Sequence, residues 1–323
     1  MRLNFRRVIQ KALAVLALTV GLAGAQETSP PDSVVRQSMD DAWWTGPMLA
    51  PNATTLPHGH LLVEPYLYDV ISAHSNGLGS LTYVNYGLLD RVTVGMIPTA
   101  GFNVANSGPS SSSVLLGDLT LQGQYRLAKF QEGRWIPTTS AVVQETFPTG
   151  KYDRLGDRPD GLGAGAYTTT LALYTQTYFW LANRRILRLR FDASQAFSSN
   201  VNVEDVSVYS TTEGFRGHAK PGSWFLADSS WEYSVTRRWV LALDATYRHN
   251  WNTHVTGYNL NSGSGQNPSV LLNSGSAEVF AFAPAIEYSW KPNLGVLLGT
   301  RIIPPSHNTN ATVTPAVAIN FVH

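Results

Sequence analysis

Ten charged residues recur on the polar side of alternating segments along the chain: Arg126, Arg188, Arg190, Asp192, Asp228, Glu232, Asp244, Arg248, Glu287 and Arg301. The run Arg188-Leu189-Arg190-Phe191-Asp192 shows the spacing, with an apolar residue between successive charges. A guanidinium stays charged at any physiological pH and offers a fixed fork of donors to a carboxylate or phenolate. Carboxylates beside it limit how tightly an anion is held. A mixed set of this kind either lines an aqueous path and sets its selectivity, or pairs across an interior and fills it.

Strands must carry these residues, because the period is two. Leu119, Leu121, Tyr125 and Leu127 share one face, and Asp118, Thr120, Gln122, Gln124 and Arg126 the other. The pattern recurs and predicts twelve strands: near 60–72, 81–88 and 92–101, two within 116–152, then 163–181, one from Leu187, 225–235, 239–248, 280–290, 294–303 and 311–322. Tight turns are expected at 89–91, 183–185, 236–238 and 291–293. Longer loops are expected around Asn76-Gly77 and at 102–113, 147–162, 198–222, 252–275 and 304–310. Short and long connections therefore take turns. Strands of ~10 residues, even in number, with short turns on one side and long loops on the other, specify an all-β fold: a transmembrane antiparallel up-and-down barrel with short periplasmic turns and long outer loops. Trp239, Tyr247, Tyr288 and Trp290 fall near strand ends, where girdle aromatics sit. Pro65, Pro284 and Pro315 fall inside strands and predict bulges, because proline removes a ladder donor.

The first residues read as a signal peptide over 1–25. Arg2, Arg6, Arg7 and Lys11 are basic, an apolar stretch follows, and Ala23-Gly24-Ala25 suits cleavage before Gln26. Residues 26–59 read as a periplasmic lead-in, rich in proline and without alternation, and 60–323 as the barrel. Asp40-Asp41-Ala42-Trp43-Trp44-Thr45-Gly46-Pro47 within the lead-in reads as an aromatic anchor or a cap over the periplasmic mouth, or as a docking motif for an inner partner. Cysteine is absent, which excludes disulfides and thiolate metal sites. No cofactor is implied. Charged residues make up 14% of the chain against roughly 25% in soluble proteins. The net charge of +1 gives no electrostatic case for nucleic acid.

Three stretches carry a family resemblance: Tyr86-Gly87-Leu88-Leu89-Asp90-Arg91-Val92; Gly117-Asp118-Leu119-Thr120-Leu121 leading into Gln124-Tyr125-Arg126-Leu127; and Phe147-Pro148-Thr149-Gly150-Lys151-Tyr152. With them the chain resembles, from about His60 onward, the outer-membrane transporter family named for the meta-pathway of phenol degradation. The resemblance implies an outer-membrane barrel with a transport role for small, aromatic or acidic, solutes. It implies outer-membrane lipid and the barrel-insertion machinery as partners. Such barrels often end on an aromatic residue that this machinery reads; here Phe321 is followed by Val322 and His323.

Other classes remain open at this level. A filled structural or adhesive barrel would use the same charges as internal pairs. His249 and His254, near Asp244, Asn250 and Thr253, would be the residues of an outer-rim hydrolase, although neither a Gly-x-Ser-x-Gly elbow nor a His-Glu-x-x-His pair is present. Asp153, Asp157 and Asp160 share one loop, but their spacing is not that of an EF-hand. A soluble lectin-like periplasmic protein would need other elements to cover the apolar faces, and the sequence supplies too few.

Overall fold

The computed structural model describes residues 35–260 and 267–323. The expected signal peptide lies outside the described residues. Eighteen strands follow one another: β1 (Leu61–Ile71), β2 (Ser75–Leu89), β3 (Val92–Ile97), β4 (Thr99–Ala105), β5 (Leu115–Leu116), β6 (Leu119–Ala128), β7 (Thr138–Phe147), β8 (Thr168–Trp180), β9 (Ile186–Ser198), β10 (Val201–Glu204), β11 (Phe215–Lys220), β12 (Trp224–Ser234), β13 (Trp239–Asn250), β14 (His254–Asn259), β15 (Ser269–Asn273), β16 (Ala277–Lys291), β17 (Leu294–Ile303) and β18 (Thr312–Val322).

Fourteen of these build one antiparallel sheet, and β1 pairs with both β2 and β18, so the sheet closes on itself. β3 and β4 are one span interrupted at Pro98, and β5 and β6 one span interrupted at Gly117-Asp118, which leaves twelve spans. Closure pairs every ladder and removes the sheet edge, the condition for a strand protein to stand in lipid. The chain ends take part: His323 and Leu61 exchange backbone hydrogen bonds at 2.8 and 3.1 Å.

The faces follow the predicted alternation. On β13, Val240, Ala242, Asp244 and Thr246 are buried inside, while Leu241 and Leu243 stay 47% and 41% exposed on the outer surface. Phe280, Phe282, Trp231, Leu171 and Phe191 are exposed in the same way, giving the barrel an apolar outer band. Trp239 and Tyr288 stack at 4.5 Å, and Tyr288 meets Trp290 at 5.5 Å, close to the short-turn end. Tyr247 and Phe280 pair at 5.0 Å toward the other.

Several expected details differ. Asn76-Gly77 is not a loop. It lies in β2 opposite Val70 and Ile71, and the hairpin turns over 72–75, where the Ser72 hydroxyl accepts the Ser75 N–H at 3.1 Å. The connection after the first strand is therefore short. The connection between β6 and β7, on the short-turn side, is longer than expected and carries a bridge from Gln131 to Ile136. The three prolines cause no register shift. Pro65, Pro284 and Pro315 stay opposite Thr82, Leu243 and Thr300, and the shifts occur at Gly87/Leu89, Arg126/Ala128 and Ser289/Lys291.

The two longest outer connections are not bare loops. They supply β10, β11, β14 and β15, a separate four-stranded antiparallel sheet. Val201, Val203, Phe215, Ala219 and Val255 form its buried side, against Tyr152 and Tyr209 of neighbouring outer segments. Alternating short runs make this possible, with one face apolar and the other bearing Asn202, His218, Lys220 and Thr256.

Candidate functional site

The lumen is occupied by the chain's own lead-in. Residues 36–59 enter at the short-turn end, rise into the barrel and return to start β1. At the entrance the Gln37 side chain donates to the Ser234 hydroxyl at 2.8 Å and accepts the Ile186 N–H at 3.1 Å, and Arg36 pairs with Glu132 at 2.5 Å. Trp44 is buried on Ile186 and Val240, with the Arg188 guanidinium 5.2 Å from its ring. Trp43 stays at the rim under Arg237. On the way back the Thr55 hydroxyl donates to the Asp90 carbonyl at 2.8 Å, the Leu56 N–H donates to Thr93 Oγ1 at 2.8 Å, and the Gly59 N–H donates to the Gly87 carbonyl at 2.8 Å. Gly87 is required there, since a Cβ would stand 1.9 Å from the Pro57 carbonyl oxygen.

Wall side chains hold the segment mainly by its backbone. The Asp244 carboxylate accepts the N–H groups of Leu49 and Ala50 at 3.1 and 3.3 Å. Glu287 accepts the Thr45 N–H at 3.0 Å and the Asn320 amide at 2.8 Å. Arg190 donates to the carbonyls of Ala50 and Thr45 at 3.0 and 2.9 Å. Gln176 accepts from the Ala53 N–H at 3.3 Å, the Ser140 hydroxyl donates to the Ala53 carbonyl at 2.6 Å, and the Gln124 amide donates to the Asn52 carbonyl at 3.0 Å. Apolar contacts repeat the pattern. Each of the three apolar clusters inside the barrel takes in one or more lead-in residues, among them Trp44, Met48 and Ala53. Met48 fits against Gly299, where a Cβ would lie 2.8 Å from its sulfur.

The ten charged residues expected to face inward separate into groups. Arg188, Arg190 and Glu232 form one buried cluster. Arg188 donates to both Glu232 oxygens, from Nε at 2.8 Å and from Nη2, and Arg190 Nε donates at 2.8 Å. Asp244 and Glu287 hold the lead-in. Asp192 stands directly opposite Asp228 across β9 and β12. Arg248 donates to the Asn250 side chain at 2.8 Å and lies 4.4 Å over the Trp224 ring. Arg301 is half-buried on β17, and Arg126 is half-buried on β6. Glu64 also belongs to the lumen, accepting the Thr45 hydroxyl at 3.1 Å. Poor alternation in the first strand concealed it; its parity with Tyr66, once the register is known, places it inside.

A cavity of about 410 Å³ remains beside the lead-in. Its wall includes Asp192, Asp228, Tyr174, Trp224, Leu226 and Ser194. The size lies within the roughly 300–1,000 Å³ of small-molecule sites.

The residues of the hydrolase alternative are not assembled. Asp244 lies deep in the lumen on the lead-in, whereas His249 faces outward against Trp251 at 4.8 Å, and His254 is exposed on β14. Two of the three loop aspartates have separate tasks. Asp153 accepts the Glu204 N–H at 3.1 Å, and Asp160 accepts the Ser112 N–H and hydroxyl at 2.7 and 2.9 Å. Those two bonds hold the Asp160 carboxyl below the ordinary carboxylate range. Asp205 is likewise held down, first by the Arg216 guanidinium at 2.8 Å. Among the described residues no group of three or more His, Cys, Asp or Glu could hold a metal ion.

Solved structures with a similar barrel fold are outer-membrane proteins. An outer membrane channel from Pseudomonas putida F1 is similar at a TM-score of 0.63 and 15% identity, over 92% of this chain and 100% of that one. The transport unit of the autotransporter AIDA-I from Escherichia coli gives 0.45 and 10%, over 95% and 97%. The toluene transporter TodX from Pseudomonas putida gives 0.40 and 10%, over 83% and 89%. No curated protein matches the sequence. The closed barrel and its apolar outer band locate the protein in the bacterial outer membrane. The family model described as "Putative MetA-pathway of phenol degradation" matches residues 47–314, which covers the later part of the lumen segment and nearly the whole barrel, and the chain belongs to that family.

Proposed function

We propose that this protein is an outer-membrane channel admitting small solutes, aromatic or acidic, through a polar lumen narrowed by its own N-terminal segment, and that it has no catalytic role. The observation that carries this is the interior itself. Charged and polar groups from eight of the twelve spans face a cavity of about 410 Å³, space that a barrel filled by paired charges would not keep. The segment across the lumen is held by hydrogen bonds from its main chain to wall side chains and by apolar contacts at Trp44, Met48 and Ala53. Family membership supports aromatic compounds as the solute class. Outer-membrane lipid surrounds the apolar band, the insertion machinery reads the last strand, Thr312–Val322, which carries Phe321, and nucleic acid is no partner. Uptake by proteoliposomes tests the reading: swelling in 4-hydroxybenzoate faster than in protein-free vesicles supports it, and equal rates oppose it.

A filled structural barrel is the second reading. Its support is the Arg188–Glu232–Arg190 cluster, which is closed to solvent and pairs charges inside the wall. Under this reading the lead-in would be a permanent plug.

A further inference from the structure

Four buried polar atoms stand close together in the wall without a hydrogen-bond partner among the described residues: Asp192 Oδ2, Asp228 Oδ1, Ser230 Oγ and Thr246 Oγ1. Their residues are adjacent in register. Asp192 is opposite Asp228, Asp228 is opposite Thr246, and Ser230 follows Asp228 on the same face of β12. None is more than 6% exposed. Like charges directly opposite on neighbouring strands repel, and a buried polar atom left unpaired weakens the fold. Folding alone gives no reason for this arrangement.

The chemistry of the vacant capacity is specific. Two of the four atoms are carboxylate oxygens, which accept hydrogen bonds, and the hydroxyls of Ser230 and Thr246 can do either. Of the nearby donors, Arg188 and Arg190 are engaged on Glu232, and Arg190 also on the carbonyls of Ala50 and Thr45, while Arg301 Nε is buried without a partner among the described residues and is not among the residues lining the cavity. Asp192 and Asp228 both line the cavity, together with Tyr174, Trp224 and Leu226. We infer that the Asp192–Asp228 pair is a solute-binding station that accepts the hydroxyl proton of a small uncharged ring compound, with the ring against Tyr174, Trp224 and Leu226. A carboxylate solute brings no donor and meets two carboxylates, so the station discriminates against it. One or two hydrogen bonds hold a solute weakly, which suits passage through a pore. The inference rests on the channel reading and narrows its solute class.

Three probes of one ring size separate the possibilities: phenol carries a donor, benzoate a charge, and toluene neither. Each is titrated by saturation-transfer NMR onto the refolded full-length barrel. Phenol should bind about tenfold more tightly than benzoate or toluene. Asp192→Ala and Asp228→Ala should each bring phenol to the toluene level, leave toluene unchanged, and melt no earlier than the native chain. Benzoate binding as tightly as phenol, or phenol affinity unchanged in both variants, overturns the inference. The native ranking alone decides the matter if a variant does not refold. Current through planar bilayers, measured on the same preparation, keeps the two readings apart. A barrel that conducts but ranks the probes otherwise overturns this inference only. A barrel that ranks them as expected without conducting supports the station and overturns the channel.

Discussion

Arg190 reaches Glu232 diagonally between β9 and β12, Nε to Oε1 at 2.8 Å, with both side chains closed to solvent. Arg188, directly opposite Glu232 in register, donates to the same carboxylate. Charge spacing fits either a solute path or internal pairing for these arginines, and their contacts favour pairing on Glu232. Removing one partner of a buried pair leaves the other uncompensated, a loss of about 3–5 kcal/mol. Arg188→Gln with Arg190→Gln should therefore lower the unfolding midpoint in urea and leave anion preference unchanged. Unchanged stability with altered selectivity would return these residues to the solute path.

The face assignment of the wall gives a second expectation. Leu243 points to lipid, and Leu226 lines the cavity. Leu243→Arg should destabilise the inserted barrel by roughly 2–4 kcal/mol near the midplane, while Leu226→Arg should cost clearly less. Refolding titrations into lipid vesicles measure both. Equal losses would mean that the inward and outward sets are misassigned.

Orientation follows from where short and long connections lie. With no native cysteine, single replacements give clean labels. Glu213→Cys, between β10 and β11, should react with an impermeant maleimide on intact cells, and Ala182→Cys, between β8 and β9, should not. The opposite pattern would invert the barrel.

Period-two alternation made the twelve spans and their faces legible, because one face meets lipid and the other a polar interior. Leu241 against Ala242 and Phe282 against Ala283 are plain cases. The outer sheet was not legible. Runs such as Val201–Glu204 and His254–Asn259 are too short to stand out, and β11 reaches its partner β14 only across two barrel strands. Asn76-Gly77 misled because the pair favours a turn, yet the register places it opposite Val70 and Ile71. The lumen segment left the least trace. Asp244 and Glu287 recognise its backbone N–H groups, which every residue except proline possesses, so no side-chain pattern in 36–59 announces the contact. The charged wall residues were visible as a set, but their division into ion cluster, segment holders and the Asp192–Asp228 pair depends on cross-strand register.

The outer cap should loosen in acid. Asp160 ties the segment before β5 to the connection between β7 and β8, and its carboxyl titrates below the ordinary range. A depressed carboxylate stabilises the fold above its unfolded value, and that contribution fades as pH falls from the ordinary carboxylate range through the lowered folded value. Protease nicking of the outer connections should therefore rise below about pH 4 in the native chain. Asp160→Asn should already be nicked faster at neutral pH and respond less to acid. Identical pH profiles for the two proteins would remove Asp160 from this role.

On the channel reading, the lumen is a solute path narrowed by residues 36–59, held at Asp244 and Glu287. Single-channel current through planar bilayers tests it most directly, comparing the refolded native chain with one lacking residues 36–56. Discrete current steps from the native chain and distinctly larger steps from the shortened one are the predicted result. A shortened barrel that folds and inserts yet carries no current, or no more than the native chain, would contradict it.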